Sequence, residues 1–156
     1  MKKAVYPGSF DPITNGHLDV LKRALEVFDE VTILIADNSS KKSRFTVEER
    51  ISMIKDATKD LKGVQVDHTN GLTVQYAKSI GAKHLVRGLR AVTDFEYEFA
   101  LTAANYYIDN SIDIVFFMAN SEHSFISSSN IDELSKSGID ISKLVPESVV
   151  NMYQKK

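Results

Sequence analysis

Several residue types that define common protein classes are missing or rare in this chain. Its 156 residues include no cysteine, which excludes a disulfide framework, a thiolate zinc site and a cysteine nucleophile. No apolar run approaches the roughly 20 residues that a membrane span needs. Pro7 interrupts the N-terminal region before a signal-like apolar stretch could form. We therefore expect a cytoplasmic protein with no membrane partner.

The chain also lacks an excess of positive charge. Its formal net charge is −2, which argues against a broad basic surface, so we expect no nucleic-acid partner. The cations cluster instead, with Lys41, Lys42 and Arg44 in one polar segment and Arg87 and Arg90 in another. Local clusters of this kind are compatible with a small anionic ligand.

Apolar residues alternate between strand-like runs and helical spacing along the chain. Strands are predicted at 3–6, 31–36, 64–68, 84–87 and 112–118. Helices are predicted at 15–28, 46–59, 72–80, 94–107 and 126–137, and from 146 almost to the end. With no repeat, linker or low-complexity stretch, the pattern predicts one domain over residues 1–156. We expect an α/β, Rossmann-like, doubly wound sheet of about five parallel strands with helices on both faces.

In such sheets, ligands bind beyond the carboxyl ends of the strands. Polar candidates follow every predicted strand: Ser9, Lys41, residues 69–73, residues 87–90 and residues 120–129. Since the carboxyl ends of parallel strands share one edge, we expect these segments to converge on a single site.

The segment 6–17 passes from a strand through a Gly- and Pro-containing turn into a helix that begins near Gly16 and His17. A helix N-terminus offers unpaired N–H groups to phosphate, and Gly16 lets the phosphate approach the backbone. His17 could then donate a hydrogen bond to it. A capped helix with a packed histidine is the simpler alternative, but the position at a strand end favours the anion site.

Two further segments have residues that could bind phosphate groups. Arg87 and Arg90 bracket Gly88 and Leu89 at the end of a predicted strand, and guanidinium groups match phosphate oxygens in a bidentate way. Three consecutive serines, 127–129, open a predicted helix. One serine would suffice as a cap, so three in a row favour ligand binding.

Thr14-Asn15-Gly16-His17 resembles the (H/T)xGH signature of the nucleotidyltransferase superfamily. The longer run 6–17 resembles the bacterial phosphopantetheine adenylyltransferases, as do residues 41–50, 86–98 and 124–129. The resemblance implies transfer of the adenylyl group of ATP to 4'-phosphopantetheine, giving dephospho-CoA and pyrophosphate in coenzyme A biosynthesis. It also implies a homohexamer, with CoA as a possible feedback ligand.

The resemblance assigns roles to individual residues. Three are catalytic: His17, which stabilises the transition state, with Arg90 and Ser9. The ATP-binding residues are Ser9, Phe10, His17, Gly88, Leu89, Arg90, Glu98, His123, Ser124, Phe125, Ile126, Ser127, Ser128 and Ser129. The phosphopantetheine-binding residues are Ser9, Lys41, Thr73 and Arg87.

The implied reaction is a direct in-line attack of the acceptor phosphate on the α-phosphorus of ATP. The nucleophile is already an anion, so neither a strong general base nor a covalent intermediate is needed. Positioning of two repelling anions and stabilisation of charge would carry the catalysis. Mg²⁺ is expected as cofactor with phosphate and water as its main ligands, because no dedicated carboxylate cage is evident.

Four positions depart from the family pattern. His123 replaces an aromatic residue, Asp132 replaces an Arg or Lys that often follows the serines, Thr73 replaces an apolar residue, and Ser43 replaces a proline. Asp132 places a negative charge near the expected pyrophosphate. Lys42 and Arg44 are interpreted as solvated or auxiliary charges.

Two alternatives remain open at the level of sequence. The acceptor could differ, as in a cytidylyltransferase or a nicotinate-mononucleotide adenylyltransferase of the same superfamily. The chain could also be a non-catalytic module that binds CoA or a nucleotide. Measuring turnover on a panel of acceptors distinguishes these two alternatives from transfer to phosphopantetheine.

Overall fold

The computed structural model describes residues 1–36, 42–120, 122 and 126–156, except for the side chains of Val92 and Thr93. Five strands form one sheet: β1 (Lys3–Gly8), β2 (Glu30–Ala36), β3 (Val64–Thr69), β4 (His84–Leu89) and β5 (Asp113–Met118). All neighbouring strands are parallel, in the order β3-β2-β1-β4-β5. The predicted parallel α/β architecture is confirmed.

Six helices connect or follow these strands: α1 (Asn15–Leu25), α2 (Val47–Ala57), α3 (Thr73–Ser79), α4 (Val92–Ile108), α5 (Ser128–Lys136) and α6 (Glu147–Lys155). Within the described ranges, none of them is long and apolar enough to cross a bilayer. The predicted capping box of α2 is present, since Thr46 Oγ1 accepts from Glu49 N–H and Glu49 Oε1 accepts from Thr46 N–H.

The central strands β1 and β2 direct their side chains into two cores, one on each face of the sheet. Ala4 and Tyr6 of β1 join the larger core with apolar residues of α1, α2, α5 and α6. Val5 faces the opposite way and packs with Val74 and Ala77 of α3. Because helices cover both faces, these two strands are buried on both sides, as central parallel strands tend to be.

Several element ends differ from the sequence expectation. The strand predicted to end at residue 87 continues to Leu89, because β4 stays paired with β5 through Met118. The first helix ends at Leu25 rather than at residue 28, since the N–H groups of both Val27 and Phe28 turn back to Ala24 O. The helix predicted from residue 126 begins at Ser128, with the preceding serine as its N-cap.

The central strand β1 separates from β4 where the sheet changes its winding direction. Its pairing with β2 runs to Gly8, whereas its pairing with β4 ends at Val5 and Leu85. Arg87 Nη1 donates to Pro7 O at 3.1 Å, beyond the last ladder pair. The open end of the sheet beside β1 is therefore lined by an arginine, at the position where doubly wound folds bind ligands.

Candidate active site

A cavity of about 730 Å³ lies at the carboxyl edge of the sheet. This volume is typical of a site for a small molecule. Its walls come from the β1–α1 loop and α1, the segment that precedes α2, the end of β4 with α4, and the start of α5. The predicted convergence is thus observed for the described segments that follow the first, second, fourth and fifth strands. It is wrong for residues 69–73 after the third strand, which do not line the cavity.

The β1–α1 loop takes an unusual backbone path. Phe10 has a φ of 46°, in the left-handed region that residues with a β-carbon seldom adopt. Its ring packs edge-on against Tyr6 and His17, with ring centroids 5.2 and 5.0 Å apart. A β-carbon on Gly8 would come within 3.1 Å of the same ring, so a larger residue there would require the ring to shift. The ring contacts offset the backbone strain and fix the side chain of His17 from one side.

The buried carboxylate of Asp11 fastens this loop to the segment before α2. Asp11 Oδ2 accepts from Arg44 N–H at 2.8 Å, and Oδ1 accepts from Phe45 N–H at 2.9 Å. Arg50, only 2% exposed, donates from Nη1 to Ser9 O at 2.9 Å. These bonds set the backbone at Ser9, which places its hydroxyl among the cavity-lining groups.

The geometry around His17 fixes the tautomer of its imidazole ring. His17 is the third residue of α1, and its Nδ1 accepts from the backbone N–H of the N-cap Thr14 at 3.0 Å. A backbone N–H can only donate, so the proton of the neutral ring must lie on Nε2. His17 therefore completes a capping box and also brings a ring N–H donor to the cavity that it lines.

The imidazole is also held in its neutral form. Burial lowers the pKa of His17 from 6.5 to about 4, and the positive charges of Arg90 and Arg87 add to this effect. A neutral imidazole is the weaker proton donor in acid–base catalysis near pH 7. It can still give a hydrogen bond to a developing negative charge, which is the role predicted for His17.

Arg87 and Glu98 form a bidentate ion pair on the cavity wall. Arg87 Nε donates to Glu98 Oε2 at 2.8 Å, and Nη2 donates to Oε1 at 2.5 Å. Burial opposes the charge on Arg87, but the bonds and charge of Glu98 raise its pKa, so it remains a cation. The family resemblance assigned these residues to different substrates, and the structure brings them together. Glu98 orients the guanidinium that lines the cavity.

Arg90 connects two other walls of the cavity. Its Nε and its backbone N–H donate to Asp94 Oδ2 at 3.3 and 3.1 Å, within the first turn of α4. Its Nη1 donates to Ile126 O at 3.2 Å, next to the serines. The guanidinium thus lies close to the start of α5 and beside His17, whose pKa it depresses.

The three serines at the start of α5 each have a different partner. Ser127 is the N-cap and accepts from Asn130 N–H at 3.2 Å. Ser128 Oγ donates to Pro12 O at 2.8 Å. Ser129 Oγ accepts from Arg44 Nη2 at 3.2 Å. Only one serine is used as a cap, and all three line the cavity at a helix N-terminus, where anions bind favourably.

Most of the predicted site residues in the described ranges line this cavity: Ser9, Phe10, His17, Arg87, Gly88, Arg90, Glu98, Ile126, Ser127, Ser128 and Ser129. Leu89 is buried, and Thr73 begins α3; neither lines the described cavity. Lys41, His123, Ser124 and Phe125 lie outside the described residues.

Sequence reasoning gave no role to two residues that build the site, Asp11 and Arg50. A signal for Arg50 was available. It precedes Met53 and Ile54 at helical spacing, so it lies on the buried face of α2, where an arginine needs polar partners. Arg44 was interpreted as a solvated or auxiliary charge, and its contacts with Asp11, Ser129 and Asp132 favour the second of these interpretations.

The carboxylates of the cavity already have partners within the protein. Asp11 binds two backbone N–H groups, Asp94 binds Arg90, and Glu98 binds Arg87. Across the part of the chain that the structure describes, no three His, Cys, Asp or Glu residues are grouped as metal ligands.

The chain is similar in sequence to proteins of a known family. Residues 5–134 match the family described as cytidylyltransferase-like. A phosphopantetheine adenylyltransferase from Lachnoclostridium phytofermentans is 49% identical over all of this chain and 96% of its own length. One from Finegoldia magna is 46% identical over 95% of this chain and 91% of its own length.

Structural similarity extends to a more distant protein. A solved structure described as a nicotinate-nucleotide adenylyltransferase from Vibrio parahaemolyticus superposes with a TM-score of 0.74 over 99% of both chains. Its sequence is only 22% identical, so this likeness concerns the fold. The full-length relatives and the family match show that this chain belongs to the phosphopantetheine adenylyltransferase family of cytidylyltransferase-like proteins.

Proposed function

We propose that the chain transfers the adenylyl group of ATP to 4'-phosphopantetheine, releasing dephospho-CoA and pyrophosphate. The observation that carries the proposal is the neutral His17, with its ring proton on Nε2, in one cavity with Arg87, Arg90 and a helix start rich in serine. Full-length relatives at 46–49% identity carry the name of this activity.

The reaction brings a phosphate monoester and a triphosphate into one cavity. Repulsion between these anions is the main obstacle, so cations on both sides of the reacting atoms are needed. Arg87 neutralises the acceptor phosphate, and its bidentate pairing with Glu98 fixes the guanidinium before the substrate arrives. Arg90 and the serines at 127–129 hold the ATP phosphates on the other side.

His17 acts at the centre of the transfer. The acceptor phosphate oxygen attacks the α-phosphorus, the bond to the bridging oxygen breaks, and pyrophosphate leaves with that electron pair. Charge grows on the non-bridging oxygens of the α-phosphate, and the Nε2–H of His17 donates to them. No proton leaves the nucleophile, which agrees with an imidazole whose pKa of about 4 makes it neutral over the working range.

We further propose Mg²⁺ as the cofactor, bound together with ATP. The donor set of the cavity fits a cation held by phosphate oxygens and water, because its carboxylates are occupied by protein donors. When bound, Mg²⁺ would neutralise charge on the polyphosphate. Lys41 stays a predicted ligand of the acceptor phosphate, and Thr73 stays a predicted ligand of phosphopantetheine.

A panel of acceptors tests the substrate assignment. Pyrophosphate release is measured with ATP and either phosphopantetheine, nicotinate mononucleotide or a phosphorylated alcohol, and in parallel with CTP in place of ATP. We expect turnover with ATP and phosphopantetheine only. Preference for another acceptor would change the assignment, and binding of CoA without any turnover would leave a non-catalytic module.

Two substitutions of His17 test its role. His17→Ala removes both the ring donor and the helix cap, whereas glutamine at this position can still complete the capping box. We expect both variants to lower kcat by about 10²–10³-fold, the usual effect of losing one transition-state donor. ATP affinity by calorimetry should fall much less. If kcat of the His17→Gln variant stays within a few-fold of wild type, the assigned role is wrong.

We also propose that copies of the chain assemble, with a homohexamer as the expected form. The outer face of α4 supports assembly because it is unusually apolar for a solvent-facing surface. Phe99 is 65% exposed, Tyr106 is 61% exposed and Tyr107 is 92% exposed. Light scattering at micromolar concentration tests the size. Feedback binding of CoA and location in the cytoplasm stay predictions from the sequence.

A further inference from the structure

The guanidinium of Arg44 is held at the edge of the cavity by three groups. Nη1 donates to Asp11 O at 3.2 Å, and Nη2 donates to Ser129 Oγ at 3.2 Å. Nε lies 3.4 Å from Asp132 Oδ2. The side chain is 33% exposed and lines the cavity. Each Nη atom carries two N–H groups, and each of these two bonds uses one of them, so the guanidinium can still donate to a ligand.

Asp132, which orients Arg44, is not a free negative charge at the site. Besides Arg44, its carboxylate contacts Lys136 Nζ at 2.9 Å and accepts from Tyr153 Oη at 3.1 Å. Burial alone would raise the pKa of Asp132, but these hydrogen bonds and the nearby cations hold it below its ordinary value. Its charge is therefore compensated within the protein and does not face a bound polyphosphate alone.

Arg44 brings a positive charge to the start of α5. Its guanidinium reaches Ser129 from a segment 85 residues away in sequence, and Asp132 of α5 holds it there. We propose that Arg44 is an ATP-binding residue for the β- and γ-phosphates and that Asp132 is its positioning residue. The segment before α2 thus supplies a cation to the serines at the start of α5.

From its position, Arg44 would contact the phosphates that leave as pyrophosphate rather than the α-phosphate. Its contact is with Ser129, the last of the three serines, whereas Arg90 binds the carbonyl of Ile126 just before them. His17 takes the α-phosphate in the proposed function, on which this inference rests. Arg44 should therefore contribute to binding of ATP and not to binding of AMP, which lacks the outer phosphates.

The test compares the dissociation constants of ATP and AMP, each measured by calorimetry on the full chain with Mg²⁺ present. Arg44→Gln should weaken ATP binding by about tenfold or more, as expected for a charge-assisted hydrogen bond, and leave AMP binding within about twofold. Arg23→Gln is the matched control. Arg23 is also a partly exposed, ion-paired arginine, but it does not line this cavity, so both ligands should be unaffected.

A charge-relocation variant separates ligand binding from a structural role of Arg44. Arg44→Gln combined with Asp132→Lys returns a cation to α5 within reach of the serines. We expect this double variant to recover most of the ATP affinity lost in the single variant. A thermal melt of each protein verifies folding. Recovery of stability without recovery of ATP affinity would overturn the proposal.

The outcomes also distinguish this inference from the proposed function. If the wild-type protein binds ATP and releases pyrophosphate but Arg44→Gln weakens ATP and AMP equally, only the role of Arg44 is wrong. The same holds if neither affinity changes. If the wild-type protein neither binds ATP nor releases pyrophosphate, the proposed function fails, and the role of Arg44 fails with it.

Discussion

Replacing His17 by glutamine should make the stability of the protein less sensitive to acid. Folding lowers the pKa of this ring from 6.5 to about 4, mainly by burial. Between these values the unfolded chain binds a proton at this position that the folded chain does not bind. The contribution of the His17 ring to the stability of the protein is therefore fully present above pH 6.5 and is lost as the pH drops towards 4. Glutamine does not titrate and can still bond to the N–H of Thr14.

The size of the effect follows from the two pKa values. Going from pH 7 to pH 5, this one group removes about 1.8 kcal/mol of unfolding free energy, at about 1.36 kcal/mol for each pKa unit. Because the ring is partly open to the cavity, we expect an observed difference of about 1–2 kcal/mol. The other titrating groups are common to both proteins and cancel when the two pH-dependent losses are subtracted.

Urea unfolding followed by circular dichroism at both pH values gives the four free energies that are required. Between pH 7 and pH 5, the unfolding free energy of the wild type should fall by about 1–2 kcal/mol more than that of the His17→Gln variant. Proton NMR of the His17 ring provides an independent reading of its pKa. Equal losses in the two proteins, or a ring that titrates near 6.5, would refute the reasoning about burial and neighbouring arginines.

Two further perturbations test other parts of the structure. Glu98→Gln leaves the guanidinium of Arg87 without its charged partner, so we expect a higher KM for phosphopantetheine and a loss of about 1–3 kcal/mol of unfolding free energy. Steady-state kinetics measures the KM, and urea unfolding measures the stability. An unchanged KM would contradict the orienting role of Glu98. Gly63→Ala should cost about 2–4 kcal/mol, because Gly63 has a φ of +81° and an added β-carbon would lie 2.5 Å from a backbone carbonyl oxygen. Gly81→Ala is the matched control, because Gly81 has a φ of +77° but open space around it, and it should lower the unfolding free energy by only about 1 kcal/mol. Equal losses of unfolding free energy in the two variants would mean that the close approach of the β-carbon to the backbone oxygen at position 63 is irrelevant.

The parts of the fold that depend on local chemistry could be predicted from the sequence. Thr46 and Glu49 lie three residues apart, and this spacing alone specifies the capping box of α2. The position of His17 after a strand end placed it correctly in the cavity. Both inferences succeed because they need only the chain direction and the rule that parallel strands end on one edge.

Pairings between distant side chains could not be predicted in the same way. Arg87 and Glu98 were both recognised as site residues, but their ion pair depends on the angle at which α4 leaves the sheet. The contact of Arg44 with Asp132 depends on how α5 lies beside the segment before α2. The tautomer of His17 was also out of reach, because it is decided by one backbone N–H and its distance to Nδ1.

The connections of the β1–α1 loop have a consequence for the order in which the protein matures during synthesis. This loop is synthesised before its partners, because its conformation depends on residues 44, 50 and 128, and α1 begins with a bond from Asn15 N–H to Leu144 O. Closing contacts of such long sequence separation costs chain entropy that only later packing recovers. A nascent chain therefore contains the cavity-lining residues of this loop early, but they can take up the described conformation only after residue 144 has been translated.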